Sequence, residues 1–99
     1  MKIVLTRSMR EKLAAKIPPV TECEIRECFA NREGGFLIDG RAKNLTNPVT
    51  RWFVAETNHG RKLKVCVIPM VTGDLVIKTA YEPDDTEMSI YSKEGCKHD

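Results

Sequence analysis

The residues of this 99-residue chain best suited to chemistry are cationic, and they are clustered. Residues 41 to 64 hold Arg41, Lys43, Arg51, Arg61, Lys62 and Lys64 against the single acid Glu56. His59 lies in the same stretch, and Lys78 and Tyr81 follow it. Residues 82 to 99 reverse the balance, with Glu82, Asp84, Asp85, Glu87, Glu94 and Asp99 against Lys93 and Lys97. Fixed cations bind phosphate and offset negative charge that develops in a transition state. The formal net charge is only +2, so the distribution rather than the total points to a basic surface beside an acidic segment. Solvated charge scattered over the surface is the plain alternative.

Metal chemistry has little support. Cys23, Cys28, Cys66 and Cys96 contain no CxxC pair, and His59 and His98 complete no zinc pattern. No metal and no cofactor are therefore expected. Cys28 and Cys66 read as small core residues and Cys96 as part of a tail.

The elements that must position the cations follow from periodicity. At 41% hydrophobic and 30% charged residues, the composition is that of one globular domain spanning 1–99, with a frayed tail from about residue 93. The longest apolar runs, Ile3-Val4-Leu5 and Val65-Cys66-Val67-Ile68, are far short of the ~20 residues that cross a bilayer. With Arg7 and Arg10 so early, the start of the chain does not read as a secretion signal, and a cytoplasmic location is expected.

Ser8-Met9-Arg10-Glu11 fits a capping box, and Leu5, Met9, Leu13 and Ile17 would form the apolar stripe of a first helix ended by Pro18-Pro19. Thr21-Glu22-Cys23-Glu24 repeats the box, with Ile25, Cys28 and Phe29 on one face of a second helix running to about Asn31. Phe36-Leu37-Ile38 is a loop or a brief edge strand. Arg51–Thr57 and Lys62–Ile68 read as a hairpin turning at Asn58-His59-Gly60, and Leu75–Tyr81 as a further strand after Thr72-Gly73-Asp74. Pro83-Asp84-Asp85 starts a last helix with Met88 and Tyr91 to bury.

The expected fold is therefore α+β, with two N-terminal helices, a three-stranded antiparallel sheet and a C-terminal helix. Strand alternation puts Leu63, Val65 and Val67 on the core face with Leu75 and Ile77. Lys62, Lys64 and Lys78 would then collect on the open face, with His59 and Arg61 at its rim, as a basic concave patch.

Thr79-Ala80-Tyr81, followed by Glu87 at eight residues and Tyr91 at twelve residues from Thr79, resembles the C-terminal part of BrnT-type and related RelE-like toxins of bacterial toxin–antitoxin pairs. Thr6-Arg7 opening a helix and Glu24-Ile25-Arg26-Glu27 in a second are similar to small relatives of that group, as are Gly60–Val65 and Ile77–Tyr81. The resemblance covers about residues 20 to 92 in order of elements. It implies a RelE-like ribonuclease fold, an RNA substrate, no metal and a cognate antitoxin, with a homodimer or a hetero-oligomer with that antitoxin as the assembly.

Such a site attacks phosphorus with the ribose 2′-hydroxyl and needs a base, an acid and fixed cations. On this implied site, Arg61 and Lys64 contact the phosphate and the transition state, and His59 or Tyr81 transfers the proton. Lys62, Lys78 and Arg51 bind RNA. Tyr81 stands where the family pattern carries an arginine. Glu87 reads alternatively as a surface or ion-pairing carboxylate, Tyr91 and Trp52 as core residues, and His59 as an exposed turn residue. A second reading keeps the fold and the basic sheet as a nucleic-acid- or protein-binding module without catalysis.

Overall fold

The computed structural model describes residues 2–39 and 49–95. Arg41, Lys43, Cys96, His98 and the tail after Gly95 lie outside them. The order of elements is β1 (Ile3–Val4), α1 (Arg7–Ala14), α2 (Glu22–Asn31), β2 (Leu37–Ile38), β3 (Arg51–Glu56), β4 (Lys62–Pro69), β5 (Leu75–Tyr81) and α3 (Asp85–Glu94). The α+β class and the three helices agree with the sequence reading. The sheet has five strands rather than three, ordered β1-β5-β4-β3-β2. β1 runs parallel to β5 and all other pairs are antiparallel. Two-residue strands carry no period of their own, and Ile3-Val4 is extended only because β5 offers it a free edge.

Each helix starts where a side chain can satisfy an orphan amide. Thr21 and Glu24 form the expected capping box of α2, and Asp84 and Glu87 form another for α3. In α1 the sequence misleads: Thr6, not Ser8, is the N-cap, its Oγ1 accepting from the Met9 amide at 3.2 Å. The apolar stripe also ends early. Leu13 is buried, whereas Ile17 lies beyond the helix and is 98% exposed.

Most of the core lies on one face of the sheet, with Trp52, Cys66 and Tyr91 buried on the other. Leu63, Val65, Val67, Ile77 and Phe53 are fully buried on the first face, with Ile25 and Cys28 of α2 in the same cluster. Phe29 of α2 meets Phe53 edge-on at 4.9 Å between ring centroids, and Phe36 meets it at 5.3 Å. Full burial of the Phe53 ring contributes ~1.5–3 kcal/mol, and edge-on pairing adds ~0.5–1.5 kcal/mol. Gly60, at φ 84° in the β3–β4 turn, takes a conformation open to glycine at no steric cost.

Two features of the sheet decide where the polar side chains go. A bulge between Cys66 and Val67 shifts the β4–β5 register, so Val67 faces Ile77 while Lys64 faces Tyr81 and Val65 faces Ala80. Strict alternation puts Tyr81 on the core face with Ile77, but the extra residue reverses the parity. Tyr81 joins the face of Lys64, and Ala80 takes its place in the core. Secondly, α3 lies across that face, with Tyr91 against Trp52 at 5.8 Å between ring centroids. The expected open basic face is therefore covered in its central part.

Candidate functional site

Lys64 sits in the middle of β4, between Val54 of β3 and Tyr81 of β5. It is only 5% exposed, so its ammonium must find partners. Lys64 Nζ donates to Glu87 Oε2 at 2.6 Å and stands 4.5 Å from the centre of the Trp52 ring. Tyr81 Oη donates to the same Glu87 oxygen at 2.8 Å. The other carboxylate oxygen, Oε1, accepts from the Asp84 amide at 3.0 Å. Glu87 thus closes the capping box of α3 and gathers a lysine and a tyrosine from two adjacent strands.

The electrostatics follow from this geometry. Burial works against the charge on Lys64, but Glu87 and Tyr81 together outweigh it and raise the lysine pKa above its ordinary value. Burial would raise the Glu87 pKa, yet the Lys64 ammonium, the Asp84 amide and the Tyr81 hydroxyl together hold it below the usual carboxylate value. Tyr81 is pushed up, chiefly by burial and also by Glu87, against the lowering effect of Lys64. The cluster therefore holds a persistent cation, an ionised carboxylate and a phenol that keeps its proton. These are the ingredients of acid–base chemistry at a centre that gains negative charge.

Arg61 is positioned for a different purpose. Its Nε donates to Glu82 at 3.0 Å, its Nη1 to both oxygens of Glu24 at 3.0 and 3.1 Å, and its two terminal nitrogens to the carbonyls of Pro19 and Pro18 at 2.6 and 3.1 Å. The guanidinium fork joins α2, the segment before it and the end of β5. The residue expected to contact phosphate is held in a clamp of carboxylates and carbonyls.

The other predicted residues are dispersed. His59 is exposed at the tip of the β3–β4 turn, where its amide donates to Thr57 Oγ1 at 3.3 Å. Lys62 is exposed, faces Glu56 across the sheet, and lines a cleft of about 820 Å³ with Val54, Met88 and Tyr91. Lys78 Nζ reaches Thr50 Oγ1 at 3.4 Å beside the bulge. Arg51 alternates with Trp52 and so belongs to the opposite face of β3 from Lys64. Trp52 is 7% exposed and packs under α3, so it is a core residue with an edge on the cluster. The structure brings together Lys64 and Tyr81 and leaves the others outside.

Glu87 is the residue that charge and strand alternation pass over. Besides its spacing of eight residues from Thr79, its signal in the sequence is the capping box Asp84–Glu87, which places it in the first turn of a helix returning over the end of β5. Among the described residues no three His, Cys, Asp or Glu side chains are grouped to hold a metal ion, and no helix is long and apolar enough to cross a membrane. Compared with known proteins, the chain matches no family model, and no curated protein or solved structure matches it.

Proposed function

We propose that the Lys64–Tyr81–Glu87 cluster binds and cleaves RNA without a metal, as in a RelE-like toxin ribonuclease neutralised by an antitoxin protein. The observation that carries this reading is the single Glu87 oxygen holding both Lys64 and Tyr81. The α+β arrangement, with paired strands ending in Tyr81 and a following helix that returns Glu87 to the sheet, supports it.

In this mechanism Lys64 turns from Glu87 to the scissile phosphate, and the carboxylate becomes a stronger base as it loses its cation. Glu87 takes the proton of the ribose 2′-hydroxyl. The O2′–P bond forms while the P–O5′ bond breaks, and the leaving 5′-oxygen takes the phenolic proton of Tyr81. The products are a 2′,3′-cyclic phosphate and a 5′-hydroxyl. Transfer of the proton from Glu87 to Tyr81 along their hydrogen bond restores both groups. Lys64 remains charged and faces the negative charge that gathers on the non-bridging oxygens.

A second reading, RNA binding without cleavage, is favoured by one observation: both central cations already face carboxylates, Arg61 with Glu24 and Glu82 and Lys64 with Glu87. One experiment separates the two. Labelled single-stranded RNA is incubated in EDTA with the wild type and with folded Lys64→Met, Tyr81→Phe and Glu87→Gln variants. Cleavage to cyclic-phosphate ends, falling by ~10²-fold or more when Tyr81 or Glu87 is changed, is the expected result. Intact RNA retained by the protein selects the binding module, and RNA neither cut nor retained overturns both readings.

A further inference from the structure

Tyr81 also borders a space that Glu87 does not line. There a pocket of about 370 Å³ opens between the exit of α1 and the end of β5, lined by Tyr81, Arg61, Glu82, Lys16 and Ile17 among others. Lys16 Nζ stands 5.8 Å from the centre of the Tyr81 ring. The three cations bordering Tyr81 differ in one respect. Lys64 is bound to Glu87, and Arg61 is bound to Glu24 and Glu82. Lys16 has no carboxylate partner among the described residues. Among the described residues it is the cation beside Tyr81 whose charge no carboxylate meets. Its neighbour Ile17 is 98% exposed, a large apolar side chain left in water at the mouth of the same pocket.

We infer that this pocket is a nucleotide subsite, in which Lys16 binds a phosphate next to the scissile one and Ile17 packs against that nucleotide's base. The inference rests on the ribonuclease reading of Tyr81 and extends it by one nucleotide along the strand. The pocket lies at the small end of the ~300–1,000 Å³ range of small-molecule sites, room for one nucleotide rather than for a helix or strand of a partner. An ammonium beside an aromatic ring is a point charge on a flexible stem, suited to a phosphate that must arrive and leave. An exposed aliphatic side chain gains by covering the face of an unstacked base, as single-stranded RNA permits. Lys16 follows the last turn of α1 in a segment held by the Arg61 bonds to the Pro18 and Pro19 carbonyls. The clamp thereby fixes the distance between the subsite and Tyr81.

The test compares wild type, Lys16→Gln, Ile17→Ser and, as a control, Lys12→Gln, an exposed lysine in the last turn of α1. Binding of a labelled oligouridylate is measured by anisotropy over a range of salt, and cleavage by initial rates. Loss of one phosphate contact makes the slope of log affinity against log salt shallower by about 0.7 for Lys16→Gln. KM rises several-fold with kcat unchanged, because Lys16 touches no reacting bond. Ile17→Ser weakens binding at every salt concentration without changing the slope. An unchanged slope for Lys16→Gln, or an equal change for Lys12→Gln, overturns the subsite while leaving the ribonuclease reading standing. A wild type that neither binds nor cleaves RNA overturns both.

Discussion

Lys64 Nζ and Glu87 Oε2, 2.6 Å apart, tie the centre of the sheet to the first turn of α3. The lysine side chain is 6% exposed and the glutamate 19%, so the pair is mostly removed from water and either charge alone would be costly. The same carboxylate caps the helix, and loss of Glu87 therefore affects the ion pair and the helix start together.

Substitution at position 87 separates these two roles. Glu87→Gln keeps an acceptor for the Asp84 amide but strands Lys64 as an unpaired ammonium, with an expected cost of ~2–3 kcal/mol. Glu87→Ala also removes the capping contact and costs about 1 kcal/mol more. Lys64→Met in the Glu87→Gln background should recover much of the first loss, since a matched apolar side chain leaves no buried charge. Urea unfolding of these three variants and of Lys64→Met alone measures this, and additive single-site losses would show that the two residues are not coupled.

Arg61 should matter to stability wherever the protein is assayed. Arg61→Ala leaves Glu24 and Glu82 without their cation and the Pro18 and Pro19 carbonyls without a donor, with an expected loss of ~2–4 kcal/mol. Arg61→Lys should recover only part of it, because an ammonium cannot reach both carboxylates and both carbonyls as the planar fork does. Thermal denaturation of both variants provides the check, and full stability of Arg61→Lys would argue against the clamp.

Acid should loosen α3 and the α2 clamp before the core. Glu87 is held below its ordinary pKa mainly by Lys64, against the opposing effect of burial, and Glu24 is held down by the Thr21 amide and Arg61 against burial as well. A carboxyl whose folded pKa is depressed contributes stability above its unfolded pKa and loses it as pH falls through the folded value. Stability is therefore expected to hold through neutral pH and to decline as pH drops below the ordinary carboxylate value of 4.5. The decline should be shallower in Glu87→Gln, as read from denaturant midpoints across an acid series.

The thiols should divide by environment. Burial pushes the Cys28 thiol up to about 12, and its Sγ donates to the Ala55 carbonyl at 3.6 Å. Cys23 is exposed, but its bond to Glu27 raises its pKa. In the native protein at mildly alkaline pH, peptide-mapped alkylation is expected at Cys23, slowly, and not at Cys28 or Cys66. Glu27→Gln should accelerate it, because only the thiolate reacts. Labelling of Cys28 without denaturant would mean that α2 opens locally.

Local chemistry made much of this protein legible in its sequence. The Thr21–Glu24 box, the Asn58-His59-Gly60 turn and the Pro83-Asp84-Asp85 helix start act through bonds within a few residues. The core-face residues of β4, Leu63, Val65 and Val67, follow from strand alternation alone. What the chain could not reveal locally depends on partners distant in sequence. Ile3-Val4 becomes a strand only beside Leu75-Val76. Arg61 becomes a clamp only because Glu24, Glu82 and two proline carbonyls converge on it, although its composition-level signal was that of a free cation. The bulge between Cys66 and Val67 reverses the parity of β5, and this places Tyr81 beside Lys64. α3 then returns across the same face and brings Glu87 to both. Charge counting finds cations, but only the folded chain determines which of them already have a carboxylate.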